Sequence, residues 1–178
     1  MMTTYIILLR GVTPSGKNKV PMAQLRKVLA QAGFSNVRTY IQTGNVLVDT
    51  EFSAIETENH IHNLIKEHIG PDLAVIVRTG IALQKLLANN PFQEGYDISR
   101  VFFVLFAQIP VAEKRKELLT QDFGDEKLAL AGDAAYMYIP GTYGRGKLSN
   151  NFLEKKLNVS ATMRNFNTLS KLVEISKG

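Results

Sequence analysis

The apolar positions fall into short runs separated by glycine, proline and polar clusters. Tyr5 to Leu9 is apolar without alternation, the pattern of a strand buried on both faces. Met22, Leu25, Val28 and Leu29 then repeat at helical spacing, with Pro21 at a position a first turn tolerates and Gly33 as the stop. Val37 to Ile41 and Asn45 to Val48 predict two strands around a Gln42-Thr43-Gly44 turn, where Gly44 supplies a positive φ. Ser53 and Glu56 have capping-box spacing ahead of a helix that buries Ile61, Leu64, Ile65 and Ile69. Gly70-Pro71 ends that helix, and Leu73 to Val77 is a further strand. The order βαββαβ is the ferredoxin-like pattern, an antiparallel sheet with two helices on one face.

The second half opens with a short helix near Ile81 to Ala88 and the loop Asn89-Asn90-Pro91-Phe92. Val101 to Phe106 is the clearest strand in the chain. Val111 to Leu119 predicts a helix, Lys127 to Leu130 and Ala135 to Ile139 a strand pair, and Leu148 to Leu157 an amphipathic helix. Asn167 or Thr168 caps a last helix burying Leu169, Leu172 and Val173. The expected fold is α+β, with two related ferredoxin-like subdomains at residues 1–80 and 81–178, the second a variant with an extra C-terminal helix. Residues 5–9 and 101–106 both need a cover on their second face. Packing of one half on the other, a continuous sheet, or a homodimer would each provide it.

The chain has 178 residues, 45% of them apolar, which is enough for a real core. No run approaches the length of a membrane span, and Met1-Met2-Thr3-Thr4 does not begin a signal peptide. Cysteine is absent, which excludes disulfides and thiol chemistry and accords with a cytoplasmic location. The net charge of +5 is unevenly spread. Residues 10–48 carry Arg10, Lys17, Lys19, Arg26, Lys27 and Arg38 and no acid, whereas residues 49–72 carry six acids against Lys66. Residues 141–178 carry seven basic side chains against Glu154 and Glu174. If the two basic regions meet, they form an anion-attracting field.

Loops in these basic regions hold the candidate chemistry. Gly141 to Ser149 lies between a strand and a helix, and Gly141, Gly146 and Lys147 match a phosphate-binding loop up to its last position. Leu148 then stands where a magnesium-binding hydroxyl belongs, so nucleotide hydrolysis is not expected, while Arg145 and Lys147 can still hold an anion. Arg10 leaves a buried strand, with Lys17 further along the same loop. Gln42 and Asn45 can bond a ligand or their own turn. Arg164 can clamp a carboxylate or phosphate, and Asn165 either joins it or stabilises the loop. His60, His62 and His68 share one helix, but their spacing suits no single ion, so no metal and no cofactor is expected. The strand Asn45 to Val48 lacks the aromatics of an RNA-recognition domain, which leaves backbone-directed contact as the way to bind nucleic acid.

Taken together, several blocks resemble the DUF1697 family of uncharacterised bacterial proteins. They are Leu9-Arg10-Gly11 with Gly16 to Met22, Tyr40 to Val46, Asn90-Pro91-Phe92, and Ala161 to Thr168 with Lys171-Leu172. The resemblance implies two related ferredoxin-like parts and carries no activity, substrate or cofactor. Where the family usually has Asn and Gly in its first loop, Thr13 and Ser15 stand here. Its usual Trp is Phe166, and the Ser of its Gly-Arg-Ser-Lys stretch is Gly146. The reading that follows is a protein binding an anionic ligand, either a phosphorylated small molecule or a nucleic-acid backbone. An enzyme acting on an anionic substrate and a non-catalytic interaction module are the alternatives.

Overall fold

A computed structural model describes residues 1–178. The first sheet comprises β1 (Thr3–Leu9), β2 (Ser35–Thr39), β3 (Asn45–Thr50) and β4 (Val75–Thr79). Their order is β2-β3-β1-β4 and every pairing is antiparallel. The helices α1 (Met22–Gln31) and α2 (Ala54–His68) follow β1 and β3. The second sheet repeats this plan with β5 (Val101–Phe106), β6 (Lys127–Ala131), β7 (Ala134–Tyr138) and β8 (Ala161–Asn165), ordered β6-β7-β5-β8 and again antiparallel. Its helices are α4 (Ala112–Leu119) and α5 (Asn150–Leu157). Both halves are therefore ferredoxin-like. They form two sheets, not one continuous sheet.

The sequence reading omitted β8. Ala161 and Met163 face the core of the second sheet, but Thr162 and Arg164 alternate with them. The strand is short, lies at the sheet edge and is mostly polar, so its period-2 signal is weak. Each fourth strand runs directly into a helix: β4 into α3 (Gly80–Ala88) and β8 into α6 (Phe166–Ser176). The last helix is closed by Asn165, not by Asn167 or Thr168. The Asn165 Oδ1 accepts the Thr168 amide at 2.8 Å.

Contacts divide the chain into two compact units, Met1–Gln84 with Lys171–Gly178, and Lys85–Ser170. In the first, Tyr5, Ile7, Leu9, Val46, Val48, Val75 and Val77 point to one face, where Met22, Leu25 and Leu29 of α1 and Ile61 and Ile65 of α2 cover them. The opposite face carries Ile6, Leu8, Leu47 and Ile76, all fully buried in a single copy of the chain. In the second unit, Val104, Phe106, Ala135, Met137 and Ala161 pack with Leu118 of α4 and Leu153 and Leu157 of α5.

Local signals fix the ends of these elements. Ser53 and Glu56 form the reciprocal capping box ahead of α2. Gly33 follows α1 at φ +98° and Gly70 follows α2 at φ +129°. The tightest constraint is Gly44, at φ +87°. A Cβ there would lie 2.9 Å from both Leu9 Cβ and Val12 Cγ2. Gly16 has a similar φ, +83°, with nothing within 4 Å. Gly16→Ala should therefore cost about 1 kcal/mol from backbone strain alone. Gly44→Ala should cost about 3 kcal/mol, since overpacking adds to the strain. Urea midpoints for the two variants measure the difference.

Candidate functional site

In the first unit, two predicted segments meet at one end of the sheet. The Leu9 amide donates to Gly44 O at 2.9 Å, and the Arg10 amide to Ala74 O at 3.0 Å. The loop after Arg10 folds on itself. The Thr13 amide donates to Asn18 O at 3.1 Å, and the Thr13 hydroxyl to Ser15 O at 2.7 Å. Lys17 is exposed near the tip and Arg10 is half-buried at the base. Across the Leu9–Gly44 tie, Gln42 is exposed on the turn between β2 and β3. Asn45 is fully buried, and its Nδ2 donates to Tyr40 O at 3.1 Å and to the Thr43 hydroxyl at 2.9 Å. Its amide therefore frames the turn that carries Gln42. Ile41, beside Gln42, has φ +51° and is exposed, a rare conformation for a β-branched residue.

The basic run of residues 10–48 is partly engaged within the fold. Arg26 donates to the Thr39 hydroxyl. Arg38 pairs with the Asp49 carboxylate at 3.5 Å and donates to Ile175 O at 3.1 Å. Lys17, Lys19 and Lys27 are exposed, with no carboxylate within 4 Å.

In the second unit, one amide of the loop Gly141 to Ser149 is engaged by a carboxylate of the protein itself. The Leu148 amide donates to Glu126 Oε1 at 3.0 Å. A Cβ on Gly146 would collide with the Glu126 carboxylate where it lies, so a side chain there would require that carboxylate to shift. The backbone donor that a phosphate loop would offer is thus engaged by a side chain just before β6. Ser149 is the N-cap of α5 and accepts the Phe152 amide at 3.1 Å. Its hydroxyl serves the helix. Lys147 donates to Asp122 O at 3.2 Å, and Arg145 is exposed. Glu126 lies well before the motif in sequence and carries no sequence signal for this role.

Arg164 lies in β8 opposite Phe103. Its Nη1 donates to the Thr162 hydroxyl at 2.6 Å and to Met163 O at 2.8 Å. Some of the residue reaches solvent, yet the surrounding protein desolvates the guanidinium and pulls it down to about 10. It remains a cation at neutral pH. Asn165 is exposed at the strand end and closes the first turn of α6.

His60 and His62 are absorbed into local structure, and His68 is exposed. His60 packs against Phe34 and Phe52 with ring centroids 5.3 and 5.4 Å apart. His62 Nε2 lies 2.8 Å from Asp72, which Lys66 also approaches at 3.4 Å. No group of three or more His, Cys, Asp or Glu side chains is placed to hold a metal ion. No helix is long and apolar enough to cross a membrane.

Fold and loops together define a duplicated ferredoxin-like α+β protein with glycine- and lysine-rich loops at the sheet ends. A model of the DUF1697 family, described as a protein of unknown function, matches residues 2–136, and the chain belongs to that family. No curated protein matches it significantly. Among solved structures, the conserved bacterial protein SP0830 from Streptococcus pneumoniae is 23% identical, with 99% of each chain covered and a TM-score of 0.75. That likeness is one of fold.

Two outcomes are expected from this geometry. Hydrogen bonds from His62 and then Lys66 hold Asp72 below its ordinary carboxylate range. A lowered folded-state pKa stabilises above the unfolded value and is lost as pH falls through the folded one. Asp72→Asn should therefore lower the urea midpoint at neutral pH, and the difference from wild type should shrink as the solution is acidified below about 4. Glu126→Ala leaves the Leu148 amide without its acceptor, at a cost of about 1–2 kcal/mol. Tryptic cleavage after Arg145 and Lys147 should speed up in that variant, and added phosphate should slow it by occupying the emptied cradle.

Proposed function

We propose that the protein binds a phosphate-bearing ligand, a phosphorylated small molecule or a nucleic-acid backbone, through the loop after β1 and the adjoining β2–β3 turn. The observation that carries this reading is the Leu9–Gly44 tie. It joins the start of the loop that goes on to Lys17 and Lys19 to the turn that carries Gln42, in a stretch with no acidic residue. Exposed ammonium groups without carboxylate partners keep their charge available to an incoming anion. Gln42 supplies amide donors that fix its orientation. The positive φ of Ile41 supports a recognition role for the turn, since strained backbone collects at ligand sites. The loop at 141–149 is left out of this site because Glu126 already engages its Leu148 amide.

Titration calorimetry with a nucleoside monophosphate, a sugar phosphate and a short single-stranded RNA tests the reading. Saturable binding to at least one is expected, weakening as salt rises. If the ligand is a polynucleotide, the logarithm of affinity should fall linearly with that of salt concentration. Lys17→Glu with Lys19→Glu should weaken binding by about tenfold or more while leaving the thermal midpoint unchanged, since both side chains are exposed. Equal affinities for wild type and the double variant would refute the assignment.

A further inference from the structure

The helical face of the second unit carries a cavity that the sequence motifs do not mark. It lies between α4 and α5, has a volume of about 240 Å³, and is lined by Lys114, Glu117, Leu118, Gln121, Lys155 and Lys156. The spacing of 114, 117, 118 and 121 is that of one helical stripe continuing past the end of α4. Leu118 is buried and forms the floor. Lys155 and Lys156 come from the last turn of α5. Three lysines therefore line one concavity, with the Lys156 Nζ 5.9 Å from the Phe152 ring centroid.

None of the three has a carboxylate within 4 Å, although Glu117 lines the same cavity. Glu154, adjacent to Lys155 in sequence, turns its Oε2 to the Ala161 amide at 2.8 Å. Lysines at the end of α5 favourably oppose the helix dipole, but that accounts for their position along the helix and not for Lys114 facing them. Like charges gathered in a concavity focus its field on an incoming anion.

We propose that this cavity binds a diphosphate group. Its volume lies just below the roughly 300–1,000 Å³ of small-molecule pockets, which suits a group as small as a diphosphate. Each lysine brings three donors on a flexible stem and the Gln121 amide adds two more, which suits a dense array of acceptor oxygens. No aromatic ring lines the cavity, so it offers no shelf for a base. The group recognised is the diphosphate itself, whether free or carried by a nucleotide.

Titration calorimetry with inorganic pyrophosphate, ADP and adenosine, at constant ionic strength, tests the assignment on the full chain. Pyrophosphate and ADP should bind within about threefold of one another, and adenosine should give no saturable signal. Lys155→Gln with Lys156→Gln should weaken pyrophosphate binding about tenfold, while Glu117→Gln should tighten it about threefold by removing the one opposing charge. The titrations are made in the Lys17→Glu with Lys19→Glu background, so that phosphate held by the loop after β1 does not contribute, which separates this site from that one. Absence of pyrophosphate binding, much tighter binding of ADP than of pyrophosphate, or indifference to the α5 and Glu117 substitutions would each overturn the proposal.

Discussion

Burial of β1 on both faces is the constraint on which the first unit depends. The strand order β2-β3-β1-β4 places the first strand of the chain inside the sheet, with β3 on one side and β4 on the other. Every side chain from Ile6 to Leu9 is fully buried, so no position can alternate to a polar residue. Each large apolar side chain buried in this way contributes about 1.5–3 kcal/mol relative to exposure. With one central strand fixed, the edge strands and the loop ends fall into place around it. Arg10 leaves the sheet where β1 ends, and Gly44 must pass close enough to Leu9 that no Cβ fits. The site proposed after β1 is thus a consequence of how that strand is packed.

The same constraint recurs in the second unit, where β5 lies between β7 and β8 and Val101, Phe103, Val104, Leu105 and Phe106 are all buried. In both halves the fourth strand enters a helix with no intervening loop. The compact units then divide those helices. Residues 85–88 of α3 count with the second unit, and residues 171–176 of α6 with the first. Arg38 donates to Ile175 O, and Gly80 is held so close to Ser176 that a Cβ would clash. The repeat is therefore one of topology.

What the sequence revealed follows from how each segment is stabilised. Strands buried on both faces announce themselves by composition, and the capping box of Ser53 and Glu56 and the positive φ of Gly44 follow from short-range chemistry. β8 was missed because only Ala161 and Met163 face the core, and the residues between them are polar. The cap of α6 was displaced by two residues for a related reason: once β8 ends at Asn165, the helix begins at once and Asn165 is the side chain in reach of the Thr168 amide. The α4–α5 cavity was invisible because its lysines lie about forty residues apart and come together only when the sheet folds between them.

Glu126 makes the same point about chemistry. A glycine-rich loop between a strand and a helix presents amides to an anion wherever it occurs. The sequence pattern at 141–149 states that preference but not which anion meets it. Here a carboxylate just before β6 does, at 3.0 Å from the Leu148 amide, and glycine at 146 leaves the space it needs. A charge-assisted hydrogen bond of this kind is among the stronger ones, and an internal carboxylate engages it without the entropy lost by a free ligand. An external anion would have to displace Glu126 and leave that carboxylate without its amide partner. By contrast, Lys17, Lys19 and Lys27, like the three lysines of the α4–α5 cavity, have no carboxylate within 4 Å. Charge left unneutralised by the fold, and not resemblance to a phosphate-loop motif, is therefore the ground on which anion sites are proposed here.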